Sequence, residues 1–134
     1  MSSTQREIKF RVWNTVKKEL HPHIDGIEWL ISGDLIRAHW FDGEKENTLF
    51  MGYNQETPFV IMQFTGLKDK NGKDIYEGDI CSTDSKEYAM NKSVVWDARH
   101  ARFEFDYPLG KSILQRSSIE VIGNIYENPE LLTN

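Results

Sequence analysis

Strand-like segments dominate the pattern of apolar and polar positions. IKFRVW (8–13) sets Ile8, Phe10 and Val12 against Lys9 and Arg11, the period of a half-buried strand, until Trp13 breaks the alternation. The polar NTVKKEL that follows reads as a turn into a second strand. IEWLIS (27–32), DLIRAHWF (34–41), TLFMGY (48–53) and PFVIMQF (58–64) are rich in branched and aromatic residues, with Gly or Asp between them. IEWLISGDLIRAHW also admits an amphipathic helix interrupted at Gly33. Further along, GDIC (78–81), SVVWDA (93–98), RHARFEF (99–105), KSILQ (111–115) and IEVIGNIY (119–126) predict short strands at fairly regular spacing, the rhythm of a small antiparallel barrel. The closing ENPELLTN predicts one helical turn. Asn128 would cap it, Pro129 suits the first helical position, Glu130 faces the positive end of the dipole, and Leu131 and Leu132 would cover an open barrel end.

Between the most apolar run and the barrel-like half lies GLKDKNGKDIYEGDI (66–80), with three glycines and seven charged residues. A phosphate-binding loop needs four residues between its glycines and a hydroxyl after its Lys. Here five residues separate Gly66 from Gly72, and Lys73 is followed by Asp74, whose carboxylate would repel phosphate. A calcium loop beginning at Asp69 would place Lys73 among the ligands, and an ammonium defeats such a site. The reading that fits is a β-hairpin with Asn71 and Gly72 at its tip. Both would have positive φ in a type I′ turn, and the flanking charges would line a solvated projection. Gly78 then supplies a tight backbone geometry, and Asp79 accepts local backbone N–H bonds as the chain enters the next strand.

MQFTGLKDKNGKDIYEGDI (62–80), with REIKFRVW (6–13) before it and IEVIGNIYENPELL (119–132) after it, closely resembles the YopX-like family of phage and prophage proteins. The three blocks span nearly the whole chain in the family's order. The resemblance implies a mainly β protein. It would have an SH3-like small barrel over 62–134, a smaller β-rich region over 1–61, and an origin in a phage or integrated prophage. It transfers no catalytic residue. Family members commonly carry Val after GDI where this chain has Cys81, a small apolar substitute.

Composition narrows the function classes. The chain has 134 residues and 15.7 kDa, and its 39% apolar and 12% aromatic content suffices for a packed interior. Its apolar runs are too short for a bilayer span, and MSSTQREIKF lacks the apolar core of a secretory signal. A single cysteine excludes an internal disulfide and fits the reducing cytoplasm of a bacterial host. Net charge is −5 and uneven: residues 1–23 are basic, residues 24–57 are acidic, and after Arg116 no basic residue follows. Nucleic-acid binding needs a basic stripe, so it is disfavoured, and only a local patch such as Arg99 and Arg102 could supply one.

The remaining chemistry is sparse. His21 and His23 flank Pro22, but zinc needs two more ligands, and Cys81, His39 and His100 show no ligand spacing. Nothing local marks Cys81 as reactive, and no G-x-S-x-G elbow is present. Asp79, Asp84 and Lys86 form a D…D-x-K string that a magnesium nuclease could use, although the first acid of such sites usually lies much further upstream. Trp13, Trp29, Trp40 and Trp96, with Phe103, Phe105 and Tyr107, could stack bases, but in barrel strands such residues belong to the core. The expected core of the C-terminal part is Ile80, Val95, Trp96, Phe103, Val121 and Ile122. The expectation is a non-catalytic protein-binding or adaptor module without metal or cofactor. It would contact a phage or host protein through the 66–78 hairpin or the 84–92 segment, with self-association left open. A nucleic-acid-binding accessory protein is the alternative, and the magnesium nuclease comes third.

Overall fold

The computed structural model of the chain describes residues 5–29, 35–50, 59–83, 91–106 and 118–132. Asp84, Lys86, Tyr107 and the KSILQ segment lie outside the described residues. The fold is mainly β, with three sheets among the described residues. The chain divides into two compact units, Lys9–Met62 and Met1–Ile8 with Gln63–Asn134.

In the Lys9–Met62 unit, β1 (Phe10–Asn14) and β2 (Glu19–His21) form an antiparallel hairpin with Trp13 opposite Leu20. Its turn is set by Asn14, whose Oδ1 accepts the N–H groups of Val16 and Lys17 at 3.0 Å. The chain reverses through Lys18, at φ 58°. A second sheet runs in the order β3 (Gly26–Trp29), β4 (Leu35–Phe41), β5 (Glu46–Phe50). The helical alternative for IEWLISGDLIRAHW is therefore not taken. β4 is paired along both edges, with Ala38 opposite Ile27 on one side and Leu49 on the other, so its backbone groups find partners across the sheet. Arg37 and Glu28 on neighbouring strands form an ion pair. The core is Val12, Ala38 and Phe59, flanked by Ile24, Ile27, Leu49 and Ile61.

β6 (Phe59–Lys68) carries the chain from this unit into the next, where it pairs antiparallel with β7 (Asp74–Tyr76), Phe64 opposite Tyr76. The second unit then builds a four-stranded antiparallel sheet. Its strands are β8 (Asp79–Thr83), β9 (Lys92–Asp97), β10 (Arg102–Phe105) and β11 (Ile119–Asn124), in the order β10-β9-β8-β11. Ile75, Cys81, Val94, Phe105, Ile119 and Val121 form its core, with Leu67 and Phe103 packed against them. A 3₁₀ turn follows at Pro129–Leu132. Leu132 stays 38% exposed, and Asn128 closes the turn through its backbone carbonyl, which accepts the Leu131 N–H at 3.1 Å. Its Oδ1 instead faces back to the Asn124 N–H at 3.3 Å, beside Gly123, where a Cβ would lie 2.5 Å from that oxygen.

The expected core needs correction at Trp96. Ile80 and Val121 are buried, Val95, Phe103 and Ile122 are partly covered, and Trp96 is 49% exposed. Register explains the difference. Val94 pairs with Phe105 and Trp96 with Phe103, so all four share one face of the β9–β10 hairpin. That face is covered at Val94 and Phe105 but not at Trp96.

Candidate functional site

The charged stretch forms its hairpin differently from expectation. The N–H of Gly72 donates to the carbonyl of Asp69 at 3.0 Å, and the N–H of Asp69 donates to Lys73 O at 2.7 Å. The tip is thus a three-residue loop, Lys70-Asn71-Gly72, closed by a β-turn that ends in a left-handed glycine. Gly72 has φ 83°, whereas positive φ outside glycine occurs among the described residues only at Lys18 and Ala101. Asn71 is therefore not left-handed, and the type I′ assignment is corrected. Asp at the first turn position and Gly at the fourth was the sequence signal for this alternative.

The hairpin is exposed as expected at Lys68 and at its tip, Lys70, Asn71, Gly72 and Lys73, but not at Asp69. Asp69 is 7% exposed, and its carboxylate accepts three backbone N–H groups at 2.9 Å: Asn71 and Lys73 on Oδ1, Val121 on Oδ2. Burial alone would raise its pKa. The bonds from Val121, Lys73 and Asn71, with the Lys73 charge, outweigh burial and hold it below the ordinary value. Lys70 N–H donates to Ile119 O at 2.9 Å, and the Lys70 ammonium lies 3.6 Å from Glu120. The hairpin is consequently fastened along β11, covering an edge that would otherwise present unpaired backbone groups. Asn71 and Gly72 carry the turn signal in the sequence, whereas Asp69, one of the flanking charges there, does the fastening.

Gly78 and Asp79 build the β7–β8 turn. Gly78, at φ 85°, donates to Val94 O and accepts from Ile125 N, both at 2.9 Å. Asp79 is 1% exposed, and its Oδ2 accepts the Tyr76 N–H at 2.7 Å. A carboxylate enclosed and engaged in this way closes a turn and does not face solvent. Cys81, next but one along the strand, is fully buried. Desolvation, reinforced by the Asp79 and Asp69 charges, pushes its thiol up to about 12.

Aromatic and charged side chains meet at the turn end of the β9–β10 hairpin, where pleating sends alternate residues to opposite faces. One face carries Trp96 and Phe103, edge to face with centroids 4.9 Å apart. The other carries Asp97, Arg102 and Glu104, with Arg102 Nε donating to Glu104 Oε2 at 3.2 Å. The connecting turn is drawn in by Asp97. Its Oδ1 accepts Arg99 N–H at 2.9 Å, and its Oδ2 lies 2.5 Å from His100 Nδ1. The His100 contact is the main reason that the Asp97 carboxyl sits below its ordinary range; desolvation opposes it. Arg99 and Arg102 are thus brought to one end of the sheet, but Arg102 is paired and two carboxylates stand beside it.

The histidines of the N-terminal unit are separately employed. His21 stacks on Trp40 with centroids 4.3 Å apart, and desolvation lowers its pKa against the opposing pull of Glu19. His23 Nε2 lies 3.1 Å from Asp25. His39 fills the space over Gly26, where a Cβ would lie 2.2 Å from Nε2. Among the described residues, the grouping of three donors close enough to share an ion is Asp97, His100 and Glu104.

Comparison with known proteins places this architecture. The family described as YopX protein matches residues 9–133. The crystal structure of protein EF1440 from Enterococcus faecalis is similar at 34% identity and a TM-score of 0.71, covering 96% of this chain and 99% of that one. The crystal structure of protein yopX from Bacillus subtilis shares the fold at 22% identity and a TM-score of 0.65, over 96% of this chain and 99% of that one. No curated protein gives a significant match. Matched along almost its entire length by that family, the chain belongs to the YopX family.

Proposed function

We propose that this phage-related chain is a non-catalytic protein-binding module, working in the cytoplasm of a bacterial host, whose C-terminal unit acts as an SH3-like barrel. The observation that carries the reading is Trp96, 49% exposed on the same face as the core residues Val94 and Phe105. A half-exposed Trp packed edge-on against a Phe is the kind of anchor on which protein interfaces concentrate their binding energy. The partner chemistry it fits is an apolar side chain set among polar groups of mixed charge, because Asp97, Arg99 and Arg102 lie at the same hairpin end. This reading prefers the β9–β10 end to the 66–78 hairpin, one side of which lies along β11, and to the 84–92 segment, whose residues 84–90 lie outside the described residues. A non-catalytic role agrees with an enclosed Asp79 and with a Cys81 thiol that stays protonated. No helix among the described residues is long and apolar enough to cross a membrane.

The test compares wild type with Trp96→Ala in pull-downs from infected and uninfected host cells, with folding of both checked by circular dichroism. A protein held by wild type and lost with Trp96→Ala supports the reading, as does self-association lost in the same variant. Retention of every partner by the variant overturns it. So does salt-sensitive binding of single-stranded DNA that is lost in Arg99→Ala or Arg102→Ala, which would establish the nucleic-acid alternative.

A further inference from the structure

We infer that Asp97, His100 and Glu104 form a surface site for a divalent transition ion of the zinc class. Their donor atoms all lie within 4.8 Å of one another, a spacing that small side-chain rotations convert to a shared ion at about 2.0–2.2 Å from each. The set is one nitrogen and two carboxylates. The imidazole favours zinc, cobalt or nickel over magnesium and calcium, which take oxygen ligands. Three protein donors also leave coordination positions for water or for a side chain of a docked partner.

The backbone prepares this arrangement. Glu104 and Asp97 sit on paired strands and project from the same face of the hairpin, and their side chains are only 13% and 12% exposed. Two carboxylates held this close repel each other, and a dication between them removes that repulsion. Arg102 Nε on Glu104 Oε2 orients one carboxylate. The Arg99 N–H on Asp97 Oδ1 orients the other and leaves Oδ2. Such outer contacts hold ligands in place at metal centres. His100 is the adjustable member: its side chain is 61% exposed, and its Nδ1 already lies 2.5 Å from Asp97 Oδ2. As the ion takes the place between Nδ1 and Oδ2, a proton held there passes to solvent.

Isothermal titration of the full, tag-free chain with zinc chloride, repeated with magnesium chloride, tests the site. One equivalent of zinc should bind with micromolar affinity, and magnesium should give no comparable heat. His100→Ala and Asp97→Asn should each weaken zinc binding at least tenfold. His23→Ala, which alters the other exposed histidine–aspartate pair, should leave it unchanged. Because His100 lies in an exposed turn, His100→Ala should keep the wild-type circular dichroism spectrum. Absence of zinc binding, or an affinity unchanged in His100→Ala, overturns the assignment. Zinc binding lost in His23→Ala does so as well. None of these outcomes depends on identifying a protein partner.

Discussion

Asp69 offers the most demanding test of how the C-terminal unit is held together. Its carboxylate accepts three backbone N–H groups, one of them from Val121, 52 residues away and 9% exposed. A hydrogen bond to a charged acceptor contributes about 1.5–3 kcal/mol, and a buried donor left unpaired costs about 1–3 kcal/mol. Asp69→Asn keeps one carbonyl oxygen and turns an amide NH2 towards at least one N–H, so a loss of about 2–4 kcal/mol is expected. Asp69→Ala removes all three acceptor contacts and should cost about 3–5 kcal/mol, less than the sum of the bonds because they share one group.

The assay is equilibrium unfolding in urea across a pH series. The Asp69 pKa in the folded chain lies below its ordinary 3.8, so the group stabilises the fold fully above that value and loses its contribution as pH falls through the folded pKa. The gap between wild type and Asp69→Asn should therefore be constant near neutrality and close progressively below about pH 4. A gap under about 0.5 kcal/mol at neutral pH, within the range of ordinary surface changes, refutes the fastening role. A gap that persists undiminished into strong acid refutes its electrostatic origin.

Three further outcomes follow from local geometry. Gly72→Ala should destabilise by about 1–2 kcal/mol through backbone strain alone, since φ is 83° and no atom lies within 4 Å of the added Cβ; unchanged melting would contradict the left-handed tip. Trp96→Ala should cost no more than about 1–2 kcal/mol, below the 3–5 kcal/mol of a fully buried Trp, and acrylamide should quench the Trp96 contribution to native fluorescence; a larger loss with no quenching would restore Trp96 to the core. Cys81, fully buried with its thiol raised to about 12, should react with a thiol reagent only as fast as the chain opens, and rapid labelling of the native protein would refute that burial.

Much of the local structure was legible along the chain. The alternation of Ile8, Phe10 and Val12, the branched and aromatic runs, and the Gly and Asp punctuation foretold strands, because a pleated backbone has a fixed period of two. Asn71 and Gly72 marked a hairpin tip because glycine alone adopts positive φ without strain. Periodicity could assign Trp96 and Val94 to the same face, but not where cover ends along it, since that depends on what packs against the hairpin. It also could not show that Asp69 reaches Val121 across 52 residues, or that Asp97, His100 and Glu104 converge. Those juxtapositions arise from strand register and turn geometry between segments that carry no local signal of each other. The tertiary structure alone buried Asp69 within a row of otherwise exposed charges and brought the donor atoms of Asp97, His100 and Glu104 together.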